Sequence, residues 1–357
     1  MNKYIPKKLE GFQEYKPNTQ QVEILLDANE SPWLPEEKTM REIEAALQTL
    51  KINRYPDPTA KEAVAAFGKV FSLQEKNIVA GNGSDELISI LLSSFLSPGD
   101  KLLVVTPDFS MYEFYASLYG VEVISYTKDA YFEIDFDAIA KTVKEEKINM
   151  VMFSNPCNPS GVLAEKEAVF AFVDRVDALV VVDEAYMEFA SMDASVLQEA
   201  AVRENLIVLK TLSKAFGVAG IRLGFAISNA EIIKALYKVK SPFNVNMVTQ
   251  AIGRIVLENG GIVKERVAYL QKERDNMQAW LEEQAEKYGF TPYKSETNFI
   301  LIHMGEKAEA VYEALLKRSI RIRFMPPYIR VTIGTAEENM ALRNALNEIF
   351  EMEYQGL

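Results

Sequence analysis

The sequence predicts an α/β fold in which a large domain with a mostly parallel sheet is joined to a smaller α+β domain. From Asn77 to Ile227, apolar runs of strand length alternate with stretches of helical periodicity, the rhythm of strand–helix–strand units. Beyond Ile227 the pattern turns helical, and from Asn298 it mixes short apolar runs with helices in the manner of a small α+β unit. The chain of 357 residues is too long for one small core, which again favours one large domain plus a smaller one.

Composition narrows the function. With 25% charged and 48% hydrophobic residues the chain matches an ordinary globular protein. A formal charge of -12 makes nucleic acid or an anionic membrane a poor partner. Anionic substrates must then be met by local arginines. The single cysteine, Cys157, excludes an internal disulfide, and the single histidine, His303, argues against a His-based metal site or a Ser-His-Asp triad. His303 follows the run Phe299 to Ile302 and reads as a strand-end packing residue. The first eight residues contain no apolar signal region and no stretch reaches the length of a membrane span, so a cytoplasmic location is expected.

The elements follow in order. Val22 onward is a short strand running into Asn29-Glu-Ser-Pro32, which is turn chemistry in isolation. A helix over about 36–50 carries Met40, Ile43, Ala46, Leu47 and Leu50 on one face. Arg54-Tyr-Pro-Asp-Pro58 is a rigid loop that by itself is a linker. A strand over 77–80, a tight loop Gly81-Asn-Gly-Ser-Asp-Glu86 and a helix over 87–96 make an anion site from backbone N–H groups. Capping of that helix by Ser84 or Asp85 explains the same loop without a ligand.

The strand over 101–105 leads to Phe109 at a strand-to-helix junction, where an aromatic ring is either core or a ligand face. After a strand over 121–126 and a helix over 136–145, the strand over 149–153 ends in Ser154-Asn-Pro-Cys-Asn-Pro-Ser-Gly161. Its two Asn-Pro pairs restrict the backbone enough to aim a side-chain amide. A helix over 165–176 precedes the apolar run 178–182, which delivers Asp183-Glu-Ala-Tyr186 at its carboxyl end, where parallel sheets bind ligands. An aspartate at that place also serves as a cap.

Between the buried runs 206–209 and 223–227 lies Thr211-Leu-Ser-Lys-Ala-Phe-Gly-Val-Ala-Gly-Ile-Arg-Leu-Gly224. Small residues, two hydroxyls and three glycines around Lys214 suit close approach of backbone to a flat phosphorylated ligand. A lysine amine held near another cation can form an imine. A lone Ser-Lys pair in a Gly-rich turn is equally an ordinary phosphate loop. Later, Arg330 precedes Val331-Thr-Ile-Gly334, and Arg323 lies close by in sequence.

The stretch T-L-S-K-A-F-G-x-A-G-I-R-x-G resembles the lysine signature of the pyridoxal-phosphate aminotransferases of fold type I, in the subgroup that contains histidinol-phosphate aminotransferase. D-A-N-E-S-P, R-Y-P-D-P, G-N-G-S-D-E, N-P-C-N-P-S-G, D-E-A-Y and R-V-T-I-G occur in the family's order. The resemblance implies a three-layer αβα large domain over 51–250 and a small domain over 251–357 that packs with the N-terminal segment 1–50. It also implies a set of roles. Lys214 holds pyridoxal 5'-phosphate covalently and moves protons. Asp183 pairs with the ring nitrogen, Asn158 and Tyr186 meet the 3'-oxygen, and Phe109 stacks on the ring where the family usually has Tyr. Gly83, Ser84, Asp85, Thr211, Ser213 and Arg222 surround the phosphate. Tyr55 joins them from the other subunit of a homodimer with shared active sites. Arg330, and more weakly Arg323 and Asn29, contact substrate. The implied reaction transfers an amino group between an amino acid and a 2-oxo acid, with a phosphorylated imidazole compound as the preferred partner. The alternatives are an aromatic aminotransferase or a threonine-phosphate decarboxylase. No metal, nucleic acid or membrane is expected.

Overall fold

A computed structural model of the chain describes residues 4–12, 14 and 18–354; the remaining residues of segment 1–50 and of the C-terminal part lie outside the described residues. Two sheets organise it. β1 (Ile24–Leu26) belongs to the smaller. The larger sheet contains β2 (Ile78–Gly81), β3 (Lys101–Thr106), β4 (Glu122–Thr127), β5 (Met150–Ser154), β6 (Leu179–Asp183), β7 (Leu206–Thr211) and β8 (Gly224–Ile227), in the order β2-β8-β7-β6-β5-β3-β4. Only β8 is antiparallel to its neighbours.

The central strands are buried on both faces, which is why they read as continuous apolar runs. Strand alternation sends Val180 and Val182 into one core layer and Val181 into the other. The first layer packs on helices Lys61–Phe71, Phe136–Glu146 and Lys166–Arg175, the second on Gly83–Phe95, Met111–Tyr119 and Ala230–Val239. This is the three-layer αβα architecture.

The smaller sheet adds β9 (Thr291–Pro292), β10 (Phe299–His303), β11 (Ile320–Met325) and β12 (Tyr328–Thr332), in the order β1-β11-β12-β10-β9. β1 pairs in parallel with β11, so a segment near the N-terminus completes a sheet made otherwise from the last part of the chain. The helical pattern expected beyond Ile227 includes one long helix, Gly261–Tyr288.

Three differences from the sequence reading bear on the site. Helix Lys61–Phe71 was not expected, although Val64, Phe67 and Phe71 repeat at helical spacing, whereas the helix implied after Phe109 spans Met111–Tyr119, with Tyr112 and Ala116 on its buried face. The helix expected from Leu87 begins at Gly83, which places Ser84 and Asp85 inside its first turn. Neither residue caps it. The N-cap is Asn82, whose N–H donates to the Glu86 carboxylate at 2.7 Å.

Candidate active site

The carboxyl ends of β3, β5, β6 and β7 lie along one edge of the large sheet, facing the small sheet. There a cavity of about 310 Å³ opens between them. Two larger surface grooves, one between helices Phe136–Glu146 and Lys166–Arg175 and one between Lys61–Phe71 and Gly261–Tyr288, contain none of the predicted site residues. Chemistry, not size, selects the smaller cavity.

Lys214 lies in the β7–β8 connection. Its Nζ donates to the Ala28 carbonyl at 2.8 Å and sits 5.7 Å from the centre of the Tyr186 ring. Asp183 closes β6 and is almost wholly buried. Its Oδ2 accepts from the Tyr112 hydroxyl at 3.0 Å and its Oδ1 from the Ala185 N–H at 3.1 Å. Burial pushes the carboxyl up to about 7, with the Tyr112 hydrogen bond opposing and the Asp108 charge adding. Tyr186 packs edge-to-face on Phe299, and its hydroxyl accepts from Asn29 Nδ2 at 3.0 Å.

Asn29 is buried with a left-handed backbone, φ 54°, and its Oδ1 accepts from the Thr332 hydroxyl at 3.0 Å. Asparagine tolerates that conformation better than most residues, so the turn chemistry and the side-chain contacts are met by one residue. The proline-restricted loop after β5 aims Asn158 into the cavity, with its N–H held by Ser154 Oγ at 3.0 Å. Its Oδ1 accepts from the Arg330 guanidinium.

At the other end Arg222 donates to Ser213 Oγ at 3.3 Å and pairs with Asp85 at 3.5 Å. A Cβ on Gly83 would stand 3.0 Å from Arg222 Nη2, and one on Gly224 would strike the Gly83 carbonyl carbon at 2.5 Å and the Ser84 nitrogen at 2.6 Å. The two loops expected to close on one anion are therefore in contact, and glycine is what lets them meet. Thr211 Oγ1 donates to Ser213 Oγ at 2.9 Å, which sets the direction of that hydroxyl.

Arg330 is buried on an interior strand of the small sheet, not at a sheet edge. Its guanidinium lies 4.9 Å from the Phe299 ring centre and donates to the Asp27 carbonyl at 3.1 Å. Arg323 is its direct cross-strand partner on β11 and also lines the cavity. Phe109 lines it as well, edge-to-face with Tyr112. Of the predicted residues, only Gly83 and Tyr55 do not line it. Gly83 stands directly behind Arg222, whereas Tyr55 is 82% exposed and stacks on Phe243.

The family model described as Aminotransferase class I and II matches residues 22–346. The chain belongs to the class I and II aminotransferases. A histidinol-phosphate aminotransferase of Clostridium novyi is 38% identical over 345 residues, 95% of each chain. One from Thermococcus kodakarensis is also 38% identical, over 96% of this chain and 98% of its own. The crystal structure of histidinol-phosphate aminotransferase from Sinorhizobium meliloti, in complex with pyridoxal-5'-phosphate, superposes with a TM-score of 0.89 at 23% identity, covering 98% of both chains.

The cavity of this aminotransferase fits a flat, phosphorylated pyridine. A helix N-terminus, two hydroxyls and a guanidinium meet where Gly83 and Gly224 let the two loops touch, a donor set suited to a phosphate. A buried carboxylate at a strand end faces the same space, as does a lysine amine. Among the described residues no cluster of His, Cys, Asp and Glu could hold a metal ion.

Sequence reasoning gave no role to Tyr112 or Ser154, though both line this cavity. Their signal was position: Tyr112 lies three residues beyond Phe109, and Ser154 opens the Asn-Pro loop. Behind them Lys128 and Asp108 form a buried ion pair at 3.3 Å, with Asp108 accepting from Ser154 and Lys128 donating to Cys157 Sγ at 3.0 Å. Cys157 is thus a buried neighbour of a lysine that is already paired.

Proposed function

We propose that this aminotransferase interconverts histidinol phosphate and 2-oxoglutarate with imidazole-acetol phosphate and glutamate, using pyridoxal 5'-phosphate, as a cytoplasmic homodimer. The observation that carries the substrate class is the cross-strand pair Arg323 and Arg330 lining the cavity that holds Lys214. Two neighbouring guanidiniums suit substrates with two anionic groups, such as a dicarboxylate or a phosphate ester. Relatives that match nearly the whole chain are named histidinol-phosphate aminotransferases, which supports histidinol phosphate as the substrate.

When bound, the cofactor supplies a protonated ring that withdraws electrons from the substrate α-carbon. The protein does the rest. Lys214 would hold the cofactor covalently, and its Nζ would serve as the group that moves a proton at the substrate α-carbon. Asp183 would keep the ring nitrogen protonated, Asn158 and Tyr186 would meet the 3'-oxygen, Phe109 would pack on the ring, and Ser84, Thr211, Ser213 and Arg222 would hold the phosphate with the backbone at Gly83 and Asp85. Arg330, with Arg323, reads the substrate anion, and Asn29 fixes Tyr186.

Tyr55 supports the dimer. Its ring is exposed, lies outside its own chain's cavity and stacks on Phe243, itself more than a third exposed, a paired aromatic surface suited to entering another subunit's site. No helix of the described residues is long and apolar enough to cross a membrane.

Steady-state assays with histidinol phosphate, phenylalanine, tyrosine and phosphothreonine test the reading. Efficient turnover of histidinol phosphate is expected, and Lys214→Ala is expected to reduce turnover to background and to remove the visible absorbance of the bound cofactor. Preferred turnover of phenylalanine or tyrosine, or carbon dioxide release from phosphothreonine, would reject it.

A further inference from the structure

Tyr112 is wholly buried, packed among aliphatic side chains of the second core layer, and its hydroxyl has one acceptor, Asp183 Oδ2 at 3.0 Å. A phenylalanine would fill the same volume without taking a hydroxyl out of water, so the polar atom needs a reason beyond packing. The turn that carries it supplies one. Tyr112 N–H donates to the Phe109 carbonyl at 3.2 Å, and the two rings meet edge-to-face with centroids 5.7 Å apart. One turn of chain therefore sets Phe109 against the cavity and Tyr112 beneath Asp183.

The Asp183 carboxylate is clamped from two sides, by Tyr112 on Oδ2 and by the Ala185 N–H on Oδ1. Two donors on different oxygens fix its rotation, and each oxygen keeps a lone pair for a further donor in the cavity. The other charges around it do not replace this clamp. Asp108, paired with Lys128, and Asp85, paired with Arg222, are both acidic and raise the cost of ionising Asp183. Lys214 lines the same cavity together with Arg222, Arg323 and Arg330, and its amine is directed to the Ala28 carbonyl.

We propose that Tyr112 is a positioning residue for the reaction: its hydroxyl orients the Asp183 carboxylate, in its ionised form, toward the cofactor's ring nitrogen. This rests on the reading that Asp183 serves that nitrogen, and the test separates the two.

Dissociation constants are measured on the full-length protein for pyridoxal phosphate and for its 1-deaza analogue, in which carbon replaces the ring nitrogen. A hydrogen bond to a charged group predicts that Tyr112→Phe weakens pyridoxal phosphate about tenfold and the analogue by less than about twofold. Asp183→Asn shows the same selectivity, larger in size. Should Tyr112→Phe be too unstable to purify, 3-fluorotyrosine placed at position 112 keeps the shape and donates more strongly. It then tightens pyridoxal phosphate and leaves the analogue unchanged. Equal weakening of both ligands by Tyr112→Phe, or no weakening of either, while Asp183→Asn stays selective, overturns the role of Tyr112 alone. Loss of selectivity in Asp183→Asn overturns the reading of Asp183 and the inference with it.

Discussion

The Arg330 guanidinium donates to Asn158 Oδ1, joining an interior strand of the small sheet to the proline-restricted loop of the large one. The residue proposed to read substrate thus touches a residue proposed to hold the cofactor. An arriving anion has to share or take that donor, so substrate binding and the direction of the Asn158 amide are linked. Arg330→Lys keeps the charge but loses the planar fork. It is expected to lower kcat/KM for histidinol phosphate by about 100-fold, mostly through KM, because bidentate pairing is lost. Steady-state kinetics on the purified variant check this.

Asp183 gives a pH dependence with a definite sign. Its folded carboxyl lies at about 7, raised chiefly by burial, against an ordinary value near 4. The protonated form is the favourable one in the ligand-free fold. The stabilisation it contributes is complete below about pH 4 and is lost as pH rises through about 7. Asp108 and Glu184 are also raised by burial, so they add slope of the same sign. Denaturant unfolding of the cofactor-free protein at pH 5 and pH 8 is expected to show wild type losing more stability than Asp183→Asn between the two.

Gly224 and Gly220 make a matched pair of substitutions. A Cβ at Gly224 meets backbone at 2.5 Å, whereas at Gly220 nothing lies within 4 Å. Gly224→Ala has to push β8 away from the helix that starts at Gly83. The expected cost is about 1–3 kcal/mol, with weakened cofactor binding. Gly220→Ala is expected to leave stability within about 1 kcal/mol of wild type. Thermal unfolding and a cofactor titration of each variant decide it.

Lys128 and Asp108 lie fully out of water, 3.3 Å apart. Removing one partner leaves an uncompensated charge, so Lys128→Met is expected to cost about 3–5 kcal/mol. The double variant Lys128→Met with Asp108→Asn is expected to recover much of that loss. A double-mutant cycle by urea unfolding measures the coupling.

The large sheet was legible because its central strands are buried on both faces and so appear as unbroken apolar runs. Asp183, Asn158 and Lys214 were legible because each follows such a run within a motif that restricts the backbone. What escaped were relations through space. Tyr112 looked like one more aromatic residue, because nothing in the sequence places its hydroxyl against a strand end 71 residues later. The start of the helix at Gly83 escaped because its N-cap contact comes from Glu86, four residues on, and not from the serine or aspartate that usually signals a cap. Arg330 was expected near substrate, but nothing in the sequence places its guanidinium on the Asp27 carbonyl, 303 residues earlier in the chain.

The bond between Asn29 and Thr332 sets an order of assembly. These residues are separated by 303 positions, yet together they fix one wall of the cavity. During synthesis Lys214, Asp183 and the phosphate-side loops leave the ribosome well before β12. A nascent chain can therefore build the large sheet and its lysine early, while the contact between Asn29 and Thr332 forms only when almost the whole protein is present. The side of the cavity proposed to meet substrate is thus the last to be made.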